Sequence, residues 1–365
     1  MRARRERLGA FAGFRARACP SRSPLPGRRR LPDASAATAE EAEEHTVRML
    51  GVYRKFMEQW MAMPVVTGLK SESEKFAGAV RSYALEALMQ DDRALQAGTS
   101  HFLGQNFSKA AGLTFQTEEG EEEHAWSTSW GVSTRLVGGL VMTHGDDEGI
   151  VVPPKLAPTQ VVVVPITGRD EAKNAIVHEK ADALKRMILD QGVRVKVDHR
   201  EHLSSGAKFY EWERKGVPFR VEVGPRDIDK EQAVLVRRVA AEPRAGEAEG
   251  KRKEFLPQHH LVSMLPERLD HFQRALLDGA RARREASSHR GVTDWGEMKE
   301  ILESKGGFVY TGWSGDPAVE ARAKEEMKAT IRVIPDEEFR SETPPGRCIS
   351  GEGDAKMEVI WARAY

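Results

Sequence analysis

A chain of 365 residues, 40% hydrophobic and 31% charged, has the make-up of an ordinary globular protein with room for two or three domains of roughly 100–200 residues, and it excludes a disordered chain. No apolar run approaches the ~18 residues of a membrane-spanning helix. Two cysteines, Cys19 and Cys348, exclude a disulfide framework or a four-cysteine zinc site and point to a reducing compartment.

Net charge is zero, with 56 bases and 56 acids, but residues 1–30 hold ten arginines and one acid, Glu6. The remaining body therefore carries 46 bases against 55 acids, so any nucleic acid must be met through local patches. Residues 1–37 read as a basic, disordered leader. Its Arg, Ser and Pro content matches an organellar transit peptide, with Leu8, Phe11 and Phe14 as a short apolar face. A wrongly assigned first exon is an equal alternative.

Regular structure is expected from Thr38, where Thr38-Ala39-Glu40-Glu41 reads as a capping box. Met49, Leu50, Tyr53, Phe56, Met57 and Trp60 follow at helical spacing up to Pro64. Gly68–Lys75 reads as a polar loop, and Tyr83–Leu95 as one short element. Leu95–Ser108 reads as a strand whose polar face looks into a pocket. After a glutamate-rich turn (Glu118–Glu123), a strand through Trp126 and Trp130 leads into a helix over Ser133–His144, closed by Gly145. Both tryptophans read as core or pocket wall rather than as platforms for bases. Pro153-Pro154 marks a domain boundary.

Val161–Val164 is an apolar run suited to a strand buried on both faces. A helix over 170–191, with Val177, Ala181, Leu184 and Ile188 on one side, leads to alternating Val193, Val195 and Val197, a strand–helix–strand crossover. Phe219–Val223 and Val234–Val236 add strands to this α/β unit. Residues 242–254 read as a charged linker, and His259-His260 beside it as solvated loop without metal-ligand spacing. Leu265, Leu269, Phe272 and Leu276, then Trp295, Met298 and Leu302, predict helices. Short strands at Thr330–Ile334 and Met357–Trp361 end the chain. The fold class is thus multidomain, mixing α+β and α/β parts, and no Walker or GxGxxG loop precedes a helix.

Three long stretches, GTSHFLGQNFSKA, WSTSWGVSTRLVGGLVMTHGDDEGIVVPPKLAPTQVVVVPI and FYEWERKGVPFRVEVGPRDID, resemble prolyl-tRNA synthetase of the archaeal and eukaryotic type, most like the plant organellar forms. The resemblance is collinear over Thr38–Tyr365. It implies a class II ligase with the C-terminal part of an antiparallel-sheet catalytic domain over 38–153, an α/β anticodon-binding domain over 154–250 and an α+β C-terminal domain over 251–365. The implied reaction joins proline to ATP as prolyl-adenylate and passes the prolyl group to proline tRNA. ATP with its Mg2+ would be the nucleotide substrate.

The reaction brings two anions together, so the protein must neutralise and position them, a task suited to a guanidinium. By the resemblance, Arg135 in the class's third motif is the catalytic residue and grips the γ-phosphate. Gln96, Thr99 and Ser133 also contact ATP; His101, Ser129 and Gly131 form the proline pocket. In the second domain Glu213, Arg220 and Asp227, seven residues apart, match readers of anticodon guanines. Carboxylates accept from guanine N1 and N2, and arginine donates to O6 and N7. A salt-bridged strand edge is the alternative for this trio. Arg237 and Arg238 are candidates for backbone phosphates.

The chain departs from the family pattern in two places. The class's first motif, which builds the family's homodimer, and its second, which holds the α-phosphate and adenine, have no counterpart, and the join falls at Ala36–Ala42. In the C-terminal domain only Cys348 stands where many relatives place four zinc-binding cysteines, so no structural zinc is expected. The terminal Trp361-Ala362-Arg363-Ala364-Tyr365 matches a family ending in which the last carboxylate folds back toward the catalytic domain. The readings are a proline–tRNA ligase, inactive as this chain alone and addressed to chloroplast or mitochondrion (otherwise cytoplasm), or a non-catalytic tRNA-binding paralogue.

Overall fold

A computed structural model describes residues 33–239 and 253–365; the leader to Pro32 and residues 240–252, which include most of the linker read over 242–254, lie outside the described residues. Elements in chain order are β1 (Asp33–Ala36), α1 (Ala39–Gln59), β2 (Val65–Leu69), β3 (Arg81–Leu88), β4 (Ala94–Gly104), α2 (Asn106–Ala111), β5 (Thr114–Gln116), β6 (Glu122–His124), β7 (Trp126–Val132) and α3 (Arg135–His144). The second part comprises β8 (Val161–Pro165), α4 (Glu171–Asp190), β9 (Val195–Val197), α5 (Ser205–Arg214), β10 (Phe219–Val223), α6 (Pro225–Ile228), β11 (Gln232–Arg237), β12 (Lys253–Pro257) and α7 (Gln258–Ala286). The rest holds β13 (Ser288–His289), α8 (Trp295–Ser304), β14 (Phe308–Trp313), α9 (Pro317–Met327), β15 (Thr330–Pro335) and β16 (Met357–Ala362).

Order starts earlier than Thr38. Asp33–Ala36 pairs antiparallel with β7, Ala36 opposite Trp126, because the main chain there is extended and β7 would otherwise present an open edge. Thr38 then caps α1, its hydroxyl accepting from the Glu41 amide at 3.2 Å while the Glu41 carboxylate accepts from the Ala37 amide. The buried stripe of α1 is Ala42, Thr46, Leu50 and Met57, whereas Phe56 and Trp60 turn outward. Thr46 seats the helix on the sheet, its hydroxyl 2.6 Å from that of Thr128 and its carbonyl accepting from Ser100.

Among the described residues, nine strands form one sheet in the order β1-β7-β4-β3-β2-β15-β16-β14-β13. The stretch read as a single element near Tyr83 is a hairpin, β3 and β4, turning at Gln90–Arg93. The stretch read as a polar loop begins inside β2 and continues into buried Lys70 and Ser71, whose polar groups are matched by partners far along the chain. The C-terminal strands continue the same sheet through Ile334↔Leu69 and Pro335↔Gly68. The contact is close: a Cβ on Gly68 would stand 2.1 Å from the Ile334 carbonyl oxygen.

A second, five-stranded sheet has the order β12-β11-β10-β8-β9, with β8, β9 and β10 parallel. Its central Val161–Val164 are all fully buried, and α4 buries Val177, Ala181, Leu184 and Ile188 against it. Asp170 caps α4 by accepting from the Lys173 amide. The sheet extends past the boundary drawn at 250, since Lys253–Pro257 is its edge strand and Leu261, Leu265, Leu269 and Phe272 of α7 complete its core. His259 and His260 lie in the first turn of α7, exposed but helical rather than in a loop. No helix among the described residues is long and apolar enough to cross a membrane.

Candidate functional site

The antiparallel part of the large sheet sorts its side chains by register. Thr99 lies opposite Gly131 and Ala84, and His101 opposite Ser129 and Ser82. These residues share the face away from α1, while Ser100, Thr128 and Trp130 share the face toward it. Strict alternation would put Gln96 on the wrong side. A bulge at Ala97 corrects this: Leu85 pairs with Gly98 and Glu86 with Gln96, so the extra residue returns Gln96 to the face of Thr99 and His101. Trp126 stacks on Phe102 at 6.0 Å and Trp130 meets His45 at 4.8 Å, so both tryptophans belong to the α1 side.

Arg135 is the first residue of α3. Its Nη1 donates to the Gln96 carbonyl at 3.1 Å, and its amide donates to the Ser133 hydroxyl at 3.2 Å. The exposed guanidinium is thereby tied to the edge of the polar face, beside Gln96. His101 stands 2.8 Å from the Ser82 hydroxyl through Nδ1, and its ring lies 5.4 Å from that of Phe76. Burial holds its pKa below the usual histidine range, which keeps the ring neutral near pH 7. The face therefore joins a neutral imidazole, small hydroxyls and a side-chain-free Gly131 to a fixed cation. A small amphipathic molecule and a polyanion can be held side by side there.

Next to Gln96 the same face carries a buried ion cluster that the sequence did not reveal. Glu86, wholly buried, accepts from Lys70 at 3.0 Å and from Arg332 of β15 at 2.9–3.0 Å. Burial and the nearby Arg332 pull the Lys70 pKa down against the opposing pull of Glu86. Isolated charges in YALEALM and TIRVIP were the available signal, since an ionic side chain inside an apolar strand needs a partner. The chain end reaches this region too. The Ala94 amide donates to the Arg363 carbonyl at 2.8 Å, and the Tyr365 hydroxyl donates to Asp91 at 2.6 Å. Tyr365 borders a hollow of about 520 Å³ with Met89, Gln90, Val141 and Met142.

In the second sheet, Glu213 of α5 and Arg220 of β10 come together at 3.5 Å, and Arg220 also meets Glu222 at 3.0 Å and lies 4.1 Å over the Phe209 ring. Asp227 is placed differently. It caps α6 by accepting from the Gly224 amide at 3.0 Å and borders another hollow, about 700 Å³, with Lys173, Ile166 and Arg226. That hollow lies beyond the carboxyl ends of β8 and β10, where the connections leave in opposite directions, the usual ligand position in such sheets.

Of the two arginines read as phosphate contacts, Arg237 meets Glu254 at 3.4 Å. Arg238 is a correction: its wholly buried side chain bonds Asp146 and the Glu213 carbonyl, because it plugs a seam between the two sheets. Cys348 is buried, with the Ser314 amide and hydroxyl each 3.4 Å from its sulfur. A thiol between hydroxyls is not a zinc donor set, and among the described residues no group of three His, Cys, Asp or Glu is arranged to hold a metal.

A nine-stranded, largely antiparallel sheet with a five-stranded α/β unit is the layout of a partial class II aminoacyl-tRNA synthetase. Residues 160–265 match the anticodon binding domain, and residues 295–365 match the C-terminal domain of prolyl-tRNA synthetase. The chain is 50% identical over 334 residues to the proline–tRNA ligase of Chloroflexus aurantiacus, covering 90% of this chain and 66% of that protein. The ligases of Natranaerobius thermophilus and Salinibacter ruber are each 46% identical over 330 residues, with 90% of this chain covered and 65% and 64% of theirs. Over this span the chain belongs to the proline–tRNA ligase family. It spans about 66% of the length of the relatives it matches.

Proposed function

We propose that this chain carries part of the machinery of a proline–tRNA ligase: ATP-dependent activation of proline to prolyl-adenylate, then transfer to proline tRNA. The observation that carries this reading is the shared face of Gln96, Thr99, His101, Ser129 and Gly131, with Arg135 tied to its edge through the Gln96 carbonyl. His101, Ser129 and Gly131 would receive proline. Gln96, Thr99 and Ser133 would line the nucleotide side, and Arg135 would hold the outer phosphate of ATP with its Mg2+. No protein nucleophile enters, because the proline carboxylate itself attacks the α-phosphate and pyrophosphate leaves.

Glu213, Arg220 and Asp227 would read anticodon guanines, with Arg220 exchanging Glu213 or Glu222 for a base edge. The 365-residue chain by itself would be close to inactive, for want of an α-phosphate and adenine clamp. The alternative is a non-catalytic tRNA-binding paralogue, which would have no use for the polar set around Gln96. Subgroup and address remain part of the proposal: an archaeal and eukaryotic-type, plant-organelle form, sent to chloroplast or mitochondrion by its basic leader. Filter binding of proline tRNA, against a tRNA of unrelated anticodon, tests the reading directly. Equal affinity for both would remove its anticodon half. Residues 1–37 fused to a fluorescent protein test the address, and a cytoplasmic signal would refute it.

A further inference from the structure

One buried side chain spans the seam between the two sheets where the turn after α3 meets α5. Arg238 donates to both carboxylate oxygens of Asp146, at 2.6 and 2.9 Å, and through Nε to the main-chain carbonyl of Glu213 at 2.8 Å. Its side chain is 0% exposed, and Glu148 adds a second carboxylate at 3.5 Å. A buried fork with two carboxylates and a carbonyl has one favourable geometry, so its partners move together or lose charge-assisted bonds.

Asp146 belongs to the turn that follows α3, and Glu213 lies in the last turn of α5. The two turns are locked by backbone contact as well. A Cβ on Gly149 would come within 2.8 Å of the Arg214 main chain, and one on Gly216 within 2.5 Å of the Ile150 carbonyl oxygen. The Val152 amide donates to the Gly216 carbonyl at 3.2 Å. One end of α3 is thus fastened to the turn that carries Glu213, and the other end of this ten-residue helix, about 15 Å long, carries Arg135. Glu213 in turn meets Arg220 at 3.5 Å, and both side chains keep an edge at the surface.

We infer that the Arg238–Asp146 pair is a joint that couples engagement of the Glu213–Arg220 pair by tRNA to helix α3 and its Arg135. The inference rests on reading that pair as the one that meets anticodon bases. A base that draws Arg220 away from Glu213 changes the load on the α5 turn, and Arg238 passes it to the end of α3. Arg238 and Asp146 are positioning residues in this scheme and touch neither base nor nucleotide.

Hydrogen–deuterium exchange on the full 365-residue chain tests it, using proline tRNA transcript and a transcript with an unrelated anticodon. In the unaltered chain proline tRNA should slow exchange across residues 135–149 by about fivefold or more, the lower end of ordinary site-to-site coupling. In Asp146→Asn, at a side chain 40% exposed, the tRNA should still bind while the slowing falls below about twofold. Arg238→Lys, which keeps the charge and loses the fork, should behave alike and gives a second reading if Asp146→Asn lowers the melting temperature. Binding without slowing in the unaltered chain, or full slowing in both variants, overturns the joint while leaving the anticodon reading intact. No discrimination between the two transcripts overturns that reading and the joint with it.

Discussion

The guanidinium of Arg135 donates to the main-chain carbonyl of Gln96 across 3.1 Å, which ties the first turn of α3 to the strand that carries the polar face. A cation fixed by backbone keeps its place whether or not a ligand is present, so little reorganisation remains when negative charge arrives.

Catalysis gives the first prediction. On the proposed reading, proline-dependent ATP–pyrophosphate exchange by the 365-residue chain should be negligible, because an enzyme without its α-phosphate clamp loses about 2.7–4 kcal/mol of transition-state stabilisation. A chimera that supplies the N-terminal part of the Chloroflexus aurantiacus ligase should restore exchange. Arg135→Ala in that chimera should lower kcat by about 100- to 1,000-fold. Robust exchange by the unextended chain would contradict this account.

If Glu213 and Arg220 read the anticodon as proposed, Arg220→Ala should weaken proline tRNA binding by about 1–3 kcal/mol and relax discrimination at one base. The same change leaves Glu213 and Glu222 facing each other without their shared cation, so some loss of stability should accompany it. A uniform loss across tRNAs of different anticodon would make Arg220 a phosphate contact instead.

The Lys70–Glu86–Arg332 cluster predicts a large and local effect. Glu86→Ala leaves two buried cations unpaired and should cost about 3–5 kcal/mol in urea unfolding. The exposed pair Arg48–Glu44 should cost under about 1 kcal/mol when broken. Similar values for the two would show that the cluster is not desolvated.

His144 supplies a pH prediction. Burial is the main cause that holds its pKa down, to about 4 from 6.5, and its Nε2 stands 2.9 Å from the Met61 carbonyl. The unfolded chain binds this proton first as pH falls, so the stability is complete above 6.5 and is lost between 6.5 and about 4. The difference, about 3 kcal/mol, should appear as a steeper acid limb in denaturant melts than His144→Gln shows. Parallel limbs would refute the assignment.

Metal analysis is the fifth test. The purified chain should carry no stoichiometric zinc, since the Cys348 thiol sits among serine groups. A full equivalent would contradict this donor set.

Legibility followed the physics of each segment. Val177, Ala181, Leu184 and Ile188 recur at helical spacing because α4 covers one sheet face, and Val161–Val164 run unbroken because β8 is covered on both. Strand β14 (Phe308–Trp313) and helix α9 went unread, although Asp316-Pro317 carried a recognisable cap, its carboxylate accepting from the Ala318 amide. The bulge that returns Gln96 to the polar face has no signature in ALQAGTS. Buried Lys70 read as loop because its partner Glu86, and the Arg332 that shares that carboxylate, lie elsewhere in the chain. Arg238 misled for the same reason: a basic residue on a strand end looks alike whether it awaits phosphate or is already enclosed.

The splice at Gly68 and Pro335 makes the last third of the chain a wall of the first. A protein cut before Thr330 would strip Gly68 and Leu69 of their strand partners and leave Glu86 with only Lys70 to answer it. Such a product should self-associate, and any side chain in place of Gly68 should act as a wedge that begins the same unzipping from inside the intact molecule.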